Sequence, residues 1–372
     1  MEDSIPGGLS PQQFLRRYWQ KRPLLVRRAL AGVAAGASPA ALAALAARDD
    51  VESRLVRRRG RRWLLEHGPI AAATLRRMPA RNWTLLVQGF NHHSAGAEKL
   101  LRRFAFIPQA RLDDVMASYA APGGGVGPHW DSYDVFLVQA SGRRVWRLCR
   151  PRPFRVLPGE ALRIIDGFEA EDEYLLEPGD MLYLPPGWGH DGVALEPSVT
   201  LSVGFRAPGG AELCAAFLEH LVDGGLPESR YRDPDLRPAA RPAEIGSAML
   251  ARIRAMLGRI RWTHADMDEF TGVWLSTPKP QVVFSRRRQP LAPRAFMRKL
   301  AAGAVTLDPR TLMLYRGRRI YVNGEALDTP GRACDALHAL ADRRSLPGKR
   351  LASAATADLL YDWYRCGYLH LA

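Results

Sequence analysis

The spacing of apolar residues changes twice along the chain, and each change marks a change of architecture. Near the N-terminus the spacing is helical. "SPQQFLRRYWQ", residues 10–20, predicts a helix with Ser10 as N-cap and Pro11 at its first position, with Ala-rich helices following to about residue 48. From Arg111 to Arg206 the apolar residues come in short runs, with turn residues roughly every ten positions. "DDVMASYA", "YDVFLVQASG" and "RRVWRLCR" read as strands, "YLLEPGDMLYLPP" as strand, Pro-Gly turn and strand, and "SVTLSVGFRAP" closes the series. This predicts an antiparallel barrel or double-sheet jelly roll. After Gly209 the helical spacing returns in "AELCAAFLEHLVDGG". Past a Pro- and Arg-rich connector at 226–242 it resumes in "EIGSAMLARIRAMLGRI". The remainder reads as a helix over about 292–302, a hairpin in "TLMLYRGRRIYVNG" turning at Arg316–Gly317, and two helices. That order resembles a small winged-helix domain.

The 372 residues, 47% of them hydrophobic, suffice for two or three domains. Cys149, Cys214, Cys334 and Cys366 are widely spaced and form no CxxC, so reduced cysteines are expected rather than a zinc knuckle or a disulfide framework. The opening "MEDSIPGG" lacks the basic-then-apolar pattern of a signal peptide. The uncharged run 29–47 is mostly Ala and contains Gly32, Gly36 and Pro39, which predicts a loop and a short helix rather than a membrane span. A soluble, cytoplasmic protein is the expectation.

Charge adds a contrast between regions. The net charge is +15, and Thr271 to Ala372 holds 17 Lys and Arg against seven Asp and Glu. The segment Gly159–Asp180 has the opposite sign, with eight acidic residues against Arg163 alone. A basic tail suits a polyanion such as RNA, or is a solvated face; an acidic strip suits a cationic partner.

Candidate chemistry gathers in "APGGGVGPHWDSYDVFLV", residues 121–138. On a strand, positions i and i+2 share a face, so His129 and Asp131 converge while Trp130 points away. The best third partner is His190 in "EPGDMLYLPPGWGHDGVAL", just beyond a strand ending at Pro185–Pro186. Two imidazoles and one carboxylate form the facial triad of non-haem iron(II) oxygenases, which leaves coordination positions open. The Gly123–Gly125 run lacks the Lys-Ser/Thr of a phosphate loop and opens a strand rather than a helix. Adjacent His92 and His93 point apart on an extended chain, which predicts a turn without a catalytic role.

"PGGGVGPHWDSYDVFLVQASGRRVWRL" together with "GDMLYLPPGWGHDGVAL" resembles the JmjC branch of the cupin superfamily. Within it the chain is similar to bacterial ribosomal oxygenases that hydroxylate an arginine of large-subunit ribosomal protein sixteen. The resemblance implies an α+β chain. Residues 1–208 would form a double-stranded β-helix (jelly-roll) catalytic domain with N-terminal helices, 209–270 a helical dimerisation segment, and 271–372 a winged-helix-like domain. It implies iron(II) held by His129, Asp131 and His190, with 2-oxoglutarate and dioxygen as co-substrates. Arg144 stands where the resemblance places the partner of the distal 2-oxoglutarate carboxylate. Arg143 and Arg147 compete for that role from the opposite strand face. Ser198 is implied to bond the same carboxylate. For the substrate, Asp114 is implied to pair with the guanidinium, with Asp113 the alternative if the register slips by one, and Met116 and Tyr133 are implied to sandwich it.

Two further readings compete. One keeps the cofactors but acts on histidine, lysine or RNA. The other is a winged-helix nucleic-acid-binding regulator whose cupin barrel senses a ligand.

Overall fold

The structure, a computed structural model, describes residues 8–372 except 31, 34, 35, 227, 229, 239 and 330. The N-terminal stretch read for a signal peptide therefore lies almost wholly outside the described residues, as do three alanines of the 29–47 run. The chain packs as two compact units interleaved in sequence. The first comprises 1–207, 279–311 and 345–372; the second comprises 208–278 and 312–344.

In the first unit, helix α1 (Pro11–Arg17) begins as expected. Ser10 and Gln13 close a capping box, and Pro11 sits in the first turn. The helix ends earlier than expected because Gln20 takes φ 55° and its amide donates to the Tyr183 hydroxyl. A short strand β1 (Leu24–Val26), not expected, follows, and then the short helix expected in the 29–47 run, α2 (Pro39–Ala46).

Three strands lie where none was expected: β2 (Ser53–Arg59), β3 (Arg62–His67) and β4 (Trp83–Val87), with α3 (Ala72–Arg76) before β4. After α4 (Ala95–Arg102) come the barrel strands β5 (Leu112–Ala120), β6 (His129–Trp130), β7 (Val135–Ser141), β8 (Arg144–Cys149), β9 (Asp172–Leu176), β10 (Met181–Leu184), β11 (Gly189–Ala194) and β12 (Ser198–Phe205). They form an eight-stranded sheet of order β1-β10-β7-β12-β5-β4-β2-β3 and a four-stranded sheet of order β6-β11-β8-β9, with antiparallel neighbours throughout. This is the expected double-sheet jelly roll.

Alternation along the central strands builds two cores. Phe136, Val138, Met181, Tyr183, Val199, Leu201 and Phe205 face the helices, where Phe14 stacks edge-on against Tyr183 at 4.9 Å. Val135, Leu137, Leu182 and Leu184 face the other way and meet Trp146, Leu148 and Leu176 of the smaller sheet. The central strands β7, β10 and β12 are thus covered on both faces, which explains why they are buried along nearly their whole length.

The C-terminal segments of this unit add a helix over Pro293–Ala302, the strand β13 (Ala304–Leu307) and, late in the chain, two further strands (Ser345–Pro347 and Leu369–Leu371) paired to it. A helix over Ala354–Cys366 packs its Tyr364 ring 5.0 Å from Phe296 of the Pro293–Ala302 helix.

The second unit holds the expected helices, observed at Gly210–Asp223 and Ser247–Leu257, and one not expected at His264–Ser276. Phe217 and Phe270 meet at 5.2 Å between the first and the last of these. The hairpin pairs Met313–Arg316 with Arg319–Val322, and a third strand, Glu325–Asp328, completes the sheet. Its turn is Gly317–Arg318, one residue later than expected, because Gly317 supplies the positive φ of 56°. Gly272 is required where helix meets sheet: a Cβ there would overlap the Tyr321 ring at 2.3 Å. Among the described residues, no helix is long and apolar enough to cross a membrane.

Candidate metal centre and its cavity

His129 opens β6 directly after the glycine-rich turn, and His190 is the second residue of β11. The ladder between these strands sets His129 opposite His190, with ring centroids 4.2 Å apart. Strand β6 is only two residues long, so Asp131 lies just past its end rather than on it. Its carboxylate still turns to the same point, with Oδ2 3.7 Å from His190 Nε2. One ligand atom from each of the three side chains lies within 4.8 Å of the others, and no other such cluster occurs among the described residues.

The backbone fixes both imidazoles. His129 Nδ1 lies 2.9 Å from the Gly127 carbonyl and His190 Nδ1 3.0 Å from the Trp188 carbonyl. A carbonyl only accepts, so each Nδ1 carries a proton and donates, leaving the Nε2 lone pair for the centre. Burial pushes His190 down to about 4, the His129 ring adds to this, and Asp131 opposes it. At neutral pH His190 is therefore an uncharged donor, as metal binding requires. Two imidazole nitrogens and one carboxylate suit a divalent transition ion with open positions.

The triad lines a cavity of about 400 Å³ whose walls come from both sheets and from the loop carrying Leu162 and Ile164. Arg144 projects into it from β8. Its side chain is buried, its Nη1 and Nη2 donate to Ser118 Oγ (3.4 Å) and Ser198 Oγ (3.3 Å), and its Nε has no partner. Among the described residues no carboxylate pairs with it, and burial lowers it to about 10, so it stays cationic. A buried guanidinium hydrogen-bonded only to hydroxyls, with the Trp146 ring 5.9 Å from its Cζ, fits a carboxylate ligand. Arg143 and Arg147, the competitors, face outward in ion pairs with Glu196 and Glu173. Ser118 was missed in the sequence. Its signal was the face it shares with Asp114 and Met116 at every second position of β5.

Asp114, Met116 and Tyr133 line the same cavity. Asp114 is buried and accepts from Gln88 Nε2 at 2.7 Å and from the Gly89 amide at 3.0 Å. Its neighbour Asp113, the alternative, is paired with Lys279 at 2.7 Å and Arg206 at 3.7 Å. Tyr133 has its phenol raised first by burial and then by the Asp131 carboxylate. Arg54, unnoticed in the sequence, also lines the wall, with Nη2 3.8 Å from the Met116 sulfur and 3.3 Å from Gln88 Oε1. His92 ends a single helical turn, Phe90–His92. The rings of His92 and His93 are 6.4 Å apart, and neither lines the cavity.

Residues 99–213 match the JmjC domain and residues 259–370 the ROXA-like winged helix. The chain is 37% identical over 343 residues to the ribosomal protein uL16 3-hydroxylase of Escherichia coli strain K12, covering 92% of this chain and 91% of that protein. The crystal structure of E. coli YcfD superposes with a TM-score of 0.86 at 34% identity, covering all of both chains. The structure of YcfD, a ribosomal oxygenase, in complex with cobalt and 2-oxoglutarate superposes with a TM-score of 0.83 over 99% of each chain. A barrel with this triad and likeness along nearly its whole length place the chain in the JmjC-domain ribosomal oxygenase family.

Proposed function

We propose that the chain is an iron(II)- and 2-oxoglutarate-dependent oxygenase that hydroxylates C-3 of an arginine in ribosomal protein uL16, acting in the cytoplasm. The observation that carries this reading is the convergence of His129, Asp131 and His190 on one point of a cavity that also holds the buried Arg144. When bound with dioxygen, iron and 2-oxoglutarate supply an oxidant able to hydroxylate an unactivated C–H bond.

The residues of the chain bind, orient and exclude. His129, Asp131 and His190 hold the metal on one side, their tautomers fixed by the Gly127 and Trp188 carbonyls. Arg144 anchors the distal carboxylate of 2-oxoglutarate with Ser198 and Ser118. Asp114 attracts the cationic side chain of the substrate, and Met116 and Tyr133 flank it. Leu137, Trp146 and Ile164 supply apolar wall that keeps water from the reacting carbon. In the acidic strip, Asp166, Glu169 and Asp172 are exposed and would attract a basic ribosomal protein.

The exposed apolar residues Leu218 and Val222 on the first helix of the second unit, and Met249, Leu250, Ile253 and Leu257 on the next, suit pairing with a second copy of the chain. The division into a catalytic domain (1–208), a dimerisation segment (209–270) and a winged-helix-like domain (271–372) is part of this proposal; it cuts across the interleaved packing units. Direct binding of nucleic acid by the hairpin is not favoured, because Arg316 pairs with Asp268, and Arg319 with Glu269 and Asp328.

The test incubates the purified chain with iron(II), 2-oxoglutarate and uL16 in air. Succinate formation and one added oxygen on a uL16 arginine support the reading. Succinate formation with modification of another residue would leave the cofactors and move the substrate.

A further inference from the structure

Asp114 is held from one side only. Its Oδ2 accepts from Gln88 Nε2 and from the Gly89 amide, which fills both lone pairs of that oxygen. Lys279 Nζ stands 3.9 Å from the same Oδ2 and 2.7 Å from Asp113 Oδ2. Oδ1 accepts from no donor among the described residues and lies on the side of Gly204, which lines the cavity with Asp114. Lys279 itself is not part of the cavity wall. A buried carboxylate without a nearby cation takes up a proton rather than keep its charge.

We infer that Lys279 is a positioning residue: from behind Asp114 it keeps that carboxylate ionised, so that Oδ1 alone meets a cationic substrate side chain. This rests on the reading of Asp114 as the substrate anchor. It also limits how the cation is met. With Oδ2 filled, a two-pronged guanidinium–carboxylate pair across both oxygens is closed. Discrimination of arginine from lysine then falls to Met116 and Tyr133, which line the same cavity.

The charges around Asp114 come from several elements. Lys279 approaches from the segment that re-enters the first unit, Asp113 from its own strand, and Arg206 through Asp113 from just beyond β12. Tyr133 lines the same cavity and feels the Asp114 charge, and Arg54 of β2 reaches Asp114 through Gln88. Burial raises Asp114, Lys279 opposes that rise, and Asp113 reinforces it. Without the ammonium less opposes the rise that burial causes, and the anion is lost at higher pH than in wild type.

The test measures the affinity of E. coli uL16 for the full-length enzyme loaded with manganese(II) and 2-oxoglutarate under anaerobic conditions, at about pH 8.5 and about pH 6. Lys279→Met is expected to bind roughly tenfold more weakly than wild type at the lower pH and to approach wild type at the higher. Lys279→Arg is expected to follow wild type. Lys279→Gln, which keeps a polar side chain at this partly exposed position, repeats the loss should the Met variant fold poorly. Wild-type pH profiles in both neutral variants, with binding lost in Asp114→Asn, would overturn the role of Lys279. Full affinity in Asp114→Asn would overturn the anchor reading instead.

Discussion

His190 faces His129 across the β6–β11 ladder with ring centroids 4.2 Å apart, and each ring is tied at Nδ1 to the carbonyl two residues before it. The donor atoms are therefore aimed by the backbone, and a metal finds them in place. His129→Ala removes one donor of three and leaves His190 and Asp131 where they are. We expect manganese(II) affinity, read by calorimetry, to fall by more than about 100-fold, since even loss of a partner outside the coordination sphere costs 10–100-fold. The fold, read by circular dichroism, is expected to persist, and succinate formation to cease. Retained metal affinity and turnover would remove His129 from the centre.

Arg144→Met separates binding from stability. The wild-type guanidinium is buried with two hydroxyl partners, an unpartnered Nε and no counter-charge. Methionine fills similar space without a charge to desolvate, so the ligand-free variant is expected to melt higher than wild type, by the equivalent of about 1 kcal/mol or more. Its 2-oxoglutarate affinity is expected to fall about 10- to 100-fold, the loss of a charge-assisted hydrogen bond pair. The gain in melting temperature that 2-oxoglutarate gives wild type is expected to vanish in the variant. A variant that melts lower yet binds 2-oxoglutarate normally would make Arg144 a structural residue.

What was legible in the sequence was local. The strands from Leu112 to Phe205 carry alternation and turn chemistry within a few residues, and the glycine turn before His129 announces a tight corner. The strands β2 to β4 were not legible, because arginines at 54, 57–59, 61 and 62 crowd a pattern in which Leu55 and Val56 are fully buried. They join the sheet through β4, which pairs with β5, and that pairing is decided by long-range register, not by local propensity. Lys279 was invisible for the same reason: it meets Asp113 across 166 positions of sequence. The convergence of His129 and Asp131 was read from strand periodicity, yet Asp131 lies past the strand. The bend after Trp130 does there what the pleat was expected to do.

Acid stability turns on Asp308. Buried though it is, its carboxyl is held well below the usual range by hydrogen bonds from His370 at 2.8 Å and from Arg310 at 2.7 and 3.0 Å, which outweigh burial. A depressed carboxylate contributes stability that is present above the unfolded value of about 3.9 and lost as pH falls toward the folded value. Asp308→Asn is therefore expected to cost about 2 kcal/mol at neutral pH, allowing for the partial exposure of both partners. In urea melts the gap between the two proteins is expected to close as pH drops below about 4. A gap that widens in acid would contradict this sign.

The helix Ser247–Leu257 exposes Met249, Leu250, Ile253 and Leu257, at spacings that place them along one stripe. The proposed pairing with a second copy would bury this stripe, on a helix with no buried residue of its own, against an identical surface. Ile253→Glu puts a charge at the centre of that stripe while leaving the helix solvent-compatible. Light scattering after gel filtration is expected to show wild type at twice the mass of one chain and Ile253→Glu at the mass of one. The barrel lies in the other packing unit, so metal and 2-oxoglutarate affinities are expected to be unchanged in the monomeric variant. A wild type that already runs as a single chain would leave the stripe for a different partner, and a variant that stays dimeric would move the contact to the exposed Leu218 and Val222 of the preceding helix.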